Sequence, residues 1–221
     1  MTIFYVPTKI IIGRNCIQEN ASLFSALGTR ALIVTGKRSA KTNGAERGVR
    51  RALEERSIPA VIFDRVESNP STTVARKAAE LAREQKIDLV IWIGGGSPLN
   101  AAKVAAVLAT SRIDDETLFA NAFAQKPLPV VAVPTTAGTG SEVTQYAMMT
   151  NDKVRSKRFV ISDDIIPRVA FLDATYTENL PLNVTVNTAL DALSHAVEGF
   201  LSKRATEMSS FIALESMRLL G

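Results

Sequence analysis

The stretch IWIGGGSPLNAAK, residues 91–103, decides the fold of this chain. An apolar run typical of a buried strand leads into three glycines and a serine, and a helical pattern follows. Glycines allow a close approach of the backbone to a ligand, and a helix N-terminus offers free N–H groups and a positive dipole end. The stretch matches neither G-x-G-x-x-G nor a Walker loop. It predicts a phosphate-binding turn, and a tight strand-to-helix turn without a ligand is the alternative.

The chain on either side alternates between strand-like and helix-like segments. Apolar strand-like runs occur at ALIVTG (31–36), IPAVIFDRV (58–66), DLVIWIGGG (88–96), PVVAVPTT (129–136) and RVAFLDA (168–174). Helical patterns lie between the first four of these runs, at 45–57, 72–85 and 100–111. Apolar strands separated by amphipathic helices indicate a parallel sheet that is covered on both faces. We therefore predict an α/β fold with a doubly wound, mainly parallel, Rossmann-like sheet, to which FYVPTKIIIG (4–13) adds a flanking strand or hairpin.

The pattern changes after Pro181. From residue 183 onward no strand-like run appears, and apolar residues recur at helical spacing. We place a domain boundary there, with a dinucleotide-binding α/β domain at 1–180 and the incomplete start of a helical metal and substrate domain at 181–221.

A second polar loop, VPTTAGTGSEVT (133–144), also follows a buried strand. Its threonines and serine provide hydroxyl groups, and Gly138 and Gly140 keep the backbone accessible. Open α/β sheets bind ligands at the carboxyl ends of their strands. Two such loops in one sheet favour a ligand site over two coincidental turns.

A third signal is DALSHAVEGF (191–200), which contains the only histidine of the chain. Asp191 and His195 stand four residues apart, so a helix places them on one face, with Glu198 nearby. A hydrogen-bonded pair is the simplest interpretation of this spacing. A metal site is the alternative, and an oxygen with an imidazole nitrogen suits iron, zinc or manganese.

The composition is that of an ordinary globular protein, with 221 residues, 46% hydrophobic, 22% charged and a net charge of +4. Two short basic runs, 36–41 and 153–158, lack the interleaved aromatics of a single-strand-binding surface, so nucleic acid is not an expected partner. No apolar run reaches membrane-spanning length, and the N-terminus lacks a signal-peptide pattern. The single Cys16 cannot form an internal disulfide, which favours the reducing cytoplasm.

The three motifs, in this order, resemble those of the iron-containing (group III) alcohol dehydrogenase family. The resemblance rests on GGGSPLNAAK, PTTAGTGSEVT and DALSHAVEGF, and IPRVAFLDATYTENLP resembles the family's link into its helical domain. It implies reversible hydride transfer between a small alcohol or aldehyde and a nicotinamide cofactor, in a cleft between the two domains. A metal would act there as a Lewis acid. A homo-oligomer, most simply a dimer, is also expected.

The resemblance also implies roles for individual residues. Gly95, Gly96 and Ser97 would hold the pyrophosphate, and Thr135 and Thr136 would contact the cofactor nearer the nicotinamide. Near the adenosine half of the cofactor we expect Asn69. Lys157 is the candidate for the family's cofactor lysine, with the neighbouring Arg158 as the alternative position.

Asp191 and His195 match the family's first two metal ligands. The other two are histidines further along the helical domain, and this chain has none to replace them. A divalent iron or zinc ion held by two ligands would bind weakly or be absent. The chain therefore resembles the front part of a longer enzyme, or a truncated relative without a metal site.

Two positions depart from the family pattern. Asn100 stands where an aspartate is usual, which removes a charge from the glycine-rich helix. Gly36 stands where NAD-preferring members often carry an aspartate that bonds the ribose 2′-OH, and Lys37, Arg38 and Ser39 follow it. We therefore expect NADP(H) to bind at least as well as NAD(H).

Two further interpretations remain open. A dehydroquinate synthase-like lyase shares this architecture and binds NAD, although the loop and histidine motifs argue against it. A nucleotide-binding fragment without turnover is the non-enzymatic alternative, favoured by the missing histidines. Which alcohol or aldehyde is the substrate is not determined by the sequence.

Overall fold

A computed structural model describes residues 3–221. The strands are β1 (Lys9–Ile12), β2 (Ala31–Gly36), β3 (Ala60–Val66), β4 (Leu89–Gly94), β5 (Val130–Pro134), β6 (Tyr146–Asn151), β7 (Ser156–Ile161) and β8 (Val169–Leu172). The helices are α1 (Cys16–Glu19), α2 (Ser22–Leu27), α3 (Ser39–Thr42), α4 (Ala45–Glu55), α5 (Thr72–Glu84), α6 (Gly96–Thr110), α7 (Asp115–Phe119), α8 (Leu182–Leu201) and α9 (Glu207–Leu220).

Six strands form one parallel sheet in the order β1-β8-β5-β4-β2-β3. The predicted doubly wound α/β fold is thereby confirmed, and FYVPTKIIIG contributes the edge strand β1. The chain passes from β2 to β3 on one side and then to β4 on the other side of β2. The carboxyl ends of β2 and β4 therefore flank the point where the strand order reverses, which is where such sheets bind ligands.

Alternate residues of the central strands face two different cores. Ile33, Ile91 and Val131 pack in one core with α1, α2 and α4. Their neighbours, such as Leu32 and Val90, pack in the other core with α5 and α6. Burial on both faces explains why these strands are continuously apolar instead of alternating.

A hairpin of β6 and β7, which the sequence patterns do not predict, covers the outer side of α6. Ala147, Met149 and Val160 of the hairpin pack against Val104 and Val107 of the helix. Helix α6 is consequently buried between the sheet and the hairpin, which accounts for its apolar residues on all sides.

Helices α8 and α9 follow the sheet and pack against each other. The helical pattern expected after Pro181 is present, and the domain boundary at 180 stays a prediction. Among residues 3–221, no helix combines the length and apolarity needed to cross a bilayer.

Candidate functional site

The glycine-rich turn between β4 and α6 has a backbone that only glycine adopts easily. Gly94 has φ of 142°, and a Cβ there would lie 3.0 Å from Cγ of Pro98. Gly95 precedes the first turn of α6, and no described side chain caps this helix. The N–H groups of Gly96 and Ser97 lie in the first turn, so they have no acceptor within the helix. This combination suits an anion such as a phosphate.

The second loop contacts this turn directly because β5 lies beside β4. The N–H of Thr135 donates to the carbonyl of Gly94 at 3.0 Å. A Cβ on Gly95 would lie 3.2 Å from Oγ1 of Thr136, and a Cβ on Gly96 would lie 3.4 Å from Cγ2 of Thr139. The structure thus brings the two predicted loops together, with threonine side chains over the glycines. Thr135 itself is 1% exposed and anchors the loop through its backbone.

Gly36 ends β2 next to the glycine-rich turn, on the other side of the point where the strand order reverses. A Cβ at Gly36 would lie 3.6 Å from the carbonyl oxygen of Val66, which is an ordinary contact. Packing therefore does not require a glycine at this position. Lys37 follows it and pairs with Glu67 at 3.3 Å, with both side chains exposed. Ser39 begins the short helix α3.

Asn69 and Lys157 lie at the same edge of the molecule. Asn69 has φ of 55°, and its carbonyl accepts a hydrogen bond from Oγ1 of Thr150 at 3.4 Å. Thr150 in β6 is the cross-strand partner of Lys157 in β7. The hairpin therefore places the predicted lysine near the loop that carries Asn69, and the cofactor roles of both residues stay predictions.

Asp191 and His195 share one face of α8, with 3.8 Å between Oδ1 and Nε2. Both side chains are about half exposed. His195 lines a cavity of about 500 Å³ together with Gly138 and Thr139 of the second loop. Gly138 touches α8, since a Cβ there would lie 2.7 Å from the carbonyl oxygen of Thr188. This close approach sets the distance between the second loop and the side chains of Asp191 and His195.

The sequence motifs do not identify Lys103 of α6 as a site residue, although it is the one charged residue in an apolar helix. Its side chain is fully buried, and Nζ donates to the carbonyls of Ser141, Thr144 and Tyr146 at 2.9, 2.5 and 3.0 Å. Burial lowers the pKa of Lys103 to about 7, and the charge of Glu142 opposes this shift. Burial also raises the pKa of Glu142, and Lys103 opposes that shift.

A sequence model of the family described as iron-containing alcohol dehydrogenase matches residues 7–174. The chain belongs to the iron-containing alcohol dehydrogenase family. It is 31% identical over 223 residues to an NAD-dependent methanol dehydrogenase of Bacillus methanolicus, covering 100% of this chain and 58% of that protein. It is 35% identical over 222 residues to a 1,3-propanediol dehydrogenase of Citrobacter freundii, covering 99% of this chain and 57% of that protein.

Solved structures of the family agree with this fold. A crystal structure of an iron-containing alcohol dehydrogenase from Thermotoga maritima superposes with a TM-score of 0.93 at 42% identity, covering 99% of this chain and 60% of that one. A 1,3-propanediol oxidoreductase superposes with a TM-score of 0.94 at 33% identity, covering 100% and 58%. The chain therefore spans a little more than half the length of the relatives that it matches.

Proposed function

We propose that this protein binds a nicotinamide dinucleotide at the carboxyl ends of β2, β4 and β5 and serves hydride transfer between a small alcohol and its aldehyde. The observation that carries the proposal is the contact between a glycine-rich turn and a threonine-rich loop over a helix N-terminus that no described side chain caps. This arrangement lies at the reversal point of the sheet, where such folds bind dinucleotides.

The glycine-rich turn, the first turn of α6 and the facing threonines of the second loop, together called the phosphate cradle, fit a pyrophosphate. The backbone N–H groups of Gly96 and Ser97 would donate to phosphate oxygens, and the dipole of the 15-residue helix α6 favours their negative charge. Larger side chains at Gly95 or Gly96 would press against the threonines of the second loop. Thr136 would contact the cofactor toward the nicotinamide. The bound nicotinamide would supply the hydride chemistry, and the protein would orient the cofactor and provide the electrostatic environment.

Asp191 and His195 fit part of a divalent metal site. Their 3.8 Å separation lies within the span of two metal–ligand bonds of about 2.1 Å each. Within the described residues no third histidine, cysteine, aspartate or glutamate joins them in a group that could hold a metal. We infer that these two residues bind iron or zinc weakly by themselves. When held at this site, the metal would polarise the oxygen of the substrate as a Lewis acid.

For the adenosine half, we infer that NADP(H) binds at least as well as NAD(H). Gly36 leaves space for a 2′-phosphate, and Lys37 is the nearest cation in sequence. Lys37 already pairs with Glu67, so the phosphate must compete with a carboxylate. We place Ser39, Asn69 and Lys157 around the same half of the cofactor.

The substrate class is proposed from the relatives, which are named for methanol and 1,3-propanediol. Family membership favours the dehydrogenase over the dehydroquinate synthase-like lyase. Nucleotide binding without turnover is the second candidate, because only two metal-binding side chains meet among the described residues. A homo-oligomer, most simply a dimer, and a cytoplasmic location stay predictions.

Calorimetric titration with both oxidised cofactors and with ADP-ribose tests the proposal. Saturable binding of all three is expected, since the cradle holds the pyrophosphate that they share. Absence of binding by a folded protein at millimolar cofactor would overturn it. Alcohol-dependent reduction of the cofactor, with and without added iron or zinc, then separates the dehydrogenase from the nucleotide-binding protein.

A further inference from the structure

Lys103 links three parts of the molecule that lie far apart in sequence. It projects from α6, and its Nζ reaches the carbonyls of Ser141 and Thr144 in the second loop and of Tyr146 at the start of β6. The hydroxyl oxygen of Thr144 also lies 3.4 Å from Nζ of Lys103. A buried ammonium surrounded by three main-chain carbonyls satisfies its donors without a carboxylate in direct contact.

The same helix face carries the phosphate cradle. Lys103 follows Gly96 by seven residues, which is nearly two turns, so both lie on one side of α6 about 10 Å apart along the axis. The second loop runs along this side. Thr139 contacts the position of Gly96, and its Oγ1 accepts from the N–H of Ser141 at 3.4 Å. The carbonyl of Ser141 is in turn held by Lys103.

We propose that Lys103 is a positioning residue for the cofactor, whose ammonium fixes the second loop along α6 and so holds the threonine side chains over the glycine-rich turn. The inference rests on the proposed cofactor site. Lys103 is two turns away from the cradle and fully buried, so it acts through the loop and not by touching the cofactor.

The protonated form, which Lys103 adopts below its pKa of about 7, is the one that matches the site. An ammonium has three donors for three carbonyls, whereas a neutral amine has two donors and would direct a lone pair at an oxygen. Glu142, in the same loop, is the charged group that stabilises the ammonium, while burial opposes it. Removing the charge therefore leaves carbonyl oxygens in the interior without donors.

The test compares Lys103→Met, which keeps the stem and removes the charge, with Lys77→Met on the exposed side of α5. Dissociation constants for NADPH are measured well below the melting temperature of each variant. We expect a rise of about tenfold or more for Lys103→Met, equivalent to ~1.4 kcal/mol, and no change for Lys77→Met. Hydrogen exchange should accelerate at 139–146 more than in the sheet. A folded Lys103→Met protein with unchanged affinity and unchanged exchange would overturn the proposal.

Chemical rescue provides a second variant. Lys103→Ala leaves space for the three carbons and the nitrogen of propylammonium, which should restore NADPH affinity and slow exchange at 139–146. Propanol is similar in shape and carries no charge, so it should do neither. Equal rescue by both compounds, or by neither, would contradict the role of the ammonium.

The two proposals fail in different ways. A folded wild-type protein that binds neither NADPH nor NADH would overturn the cofactor site. The exchange comparison and its rescue by propylammonium need no cofactor, and they decide whether Lys103 fixes the loop.

Discussion

Replacing Gly36 with aspartate tests the cofactor preference most sharply. The site accepts a side chain, since a Cβ would lie 3.6 Å from the carbonyl oxygen of Val66, and Gly36 does not have a positive φ. Any change in binding would therefore come from the new carboxylate and not from distortion of β2. An aspartate here accepts a hydrogen bond from the ribose 2′-OH of NAD and repels the 2′-phosphate of NADP.

The magnitude follows from the exposure of the neighbouring charges. A charge-assisted contact to a phosphate contributes about 1.5–3 kcal/mol. Lys37 and Glu67 are 68% and 70% exposed, so solvent and salt bring the value toward the lower end. We therefore expect Gly36→Asp to weaken NADP binding about tenfold. Glu67→Gln should strengthen NADP binding by a smaller factor, because it frees Lys37 to pair with the 2′-phosphate.

Dissociation constants for NADP and NAD should be measured for wild type, Gly36→Asp and Gly36→Asn at two salt concentrations. Asparagine matches the size of aspartate without its charge, so it should leave the ratio of the two constants closer to that of wild type. A wild-type preference for NAD of about tenfold or more, or an unchanged ratio in Gly36→Asp, would show that Gly36 and Lys37 do not favour NADP.

Three further outcomes are expected. Gly138→Ala should lower the free energy of unfolding by about 1–3 kcal/mol, because its Cβ would lie 2.7 Å from the carbonyl oxygen of Thr188. Gly199→Ala should not lower it, since apart from the adjacent backbone of its own helix no described atom lies within 4 Å of the Cβ position. Urea denaturation of both variants checks this. Burial lowers the pKa of Lys103 to about 7 from 10.5, so between these pH values the unfolded chain binds more protons than the folded one. The free energy of unfolding should therefore rise with pH in this range, by at most about 1.4 kcal/mol per pH unit. Urea midpoints of Lys103→Met should lack this rise, and a pH dependence identical to that of wild type would contradict the expectation. Iron or zinc retained after dialysis should be well below one ion per chain and should fall to background in His195→Ala, while tightly held stoichiometric metal would argue against a two-ligand site.

Much of the fold is encoded in short segments of the sequence. ALIVTG at 31–36 coincides with β2, and the helical pattern at 72–85 coincides with α5 to within a residue. The glycine-rich turn is also a local signal, since Gly94 adopts φ of 142° and the helix starts two residues later. Contact between the two polar loops required only that β4 and β5 be neighbours, as consecutive strands usually are.

The features that were missed depend on contacts between distant residues. The β6–β7 hairpin forms its own two-stranded sheet, and its local signal is limited to the alternation of buried Ala147 and Met149 in β6. Lys103 finds its acceptors 38 to 43 residues further along the chain, so no local pattern identifies them. A lone lysine in the apolar run of α6 was the available signal, because such a residue needs internal acceptors.

Binding of a dinucleotide at the glycine-rich turn can be followed by the intrinsic fluorescence of the protein. Trp92 is the only tryptophan, and its Nε1 lies 3.7 Å from the position that a Cβ on Gly94 would occupy. Tryptophan emission overlaps the absorption of reduced nicotinamide, so a nicotinamide bound near this turn should quench it. Titration with NADPH is expected to give saturable quenching of Trp92 that ADP-ribose reverses. Emission from a folded protein that stays unchanged up to millimolar NADPH, after correction for absorption, would contradict the account.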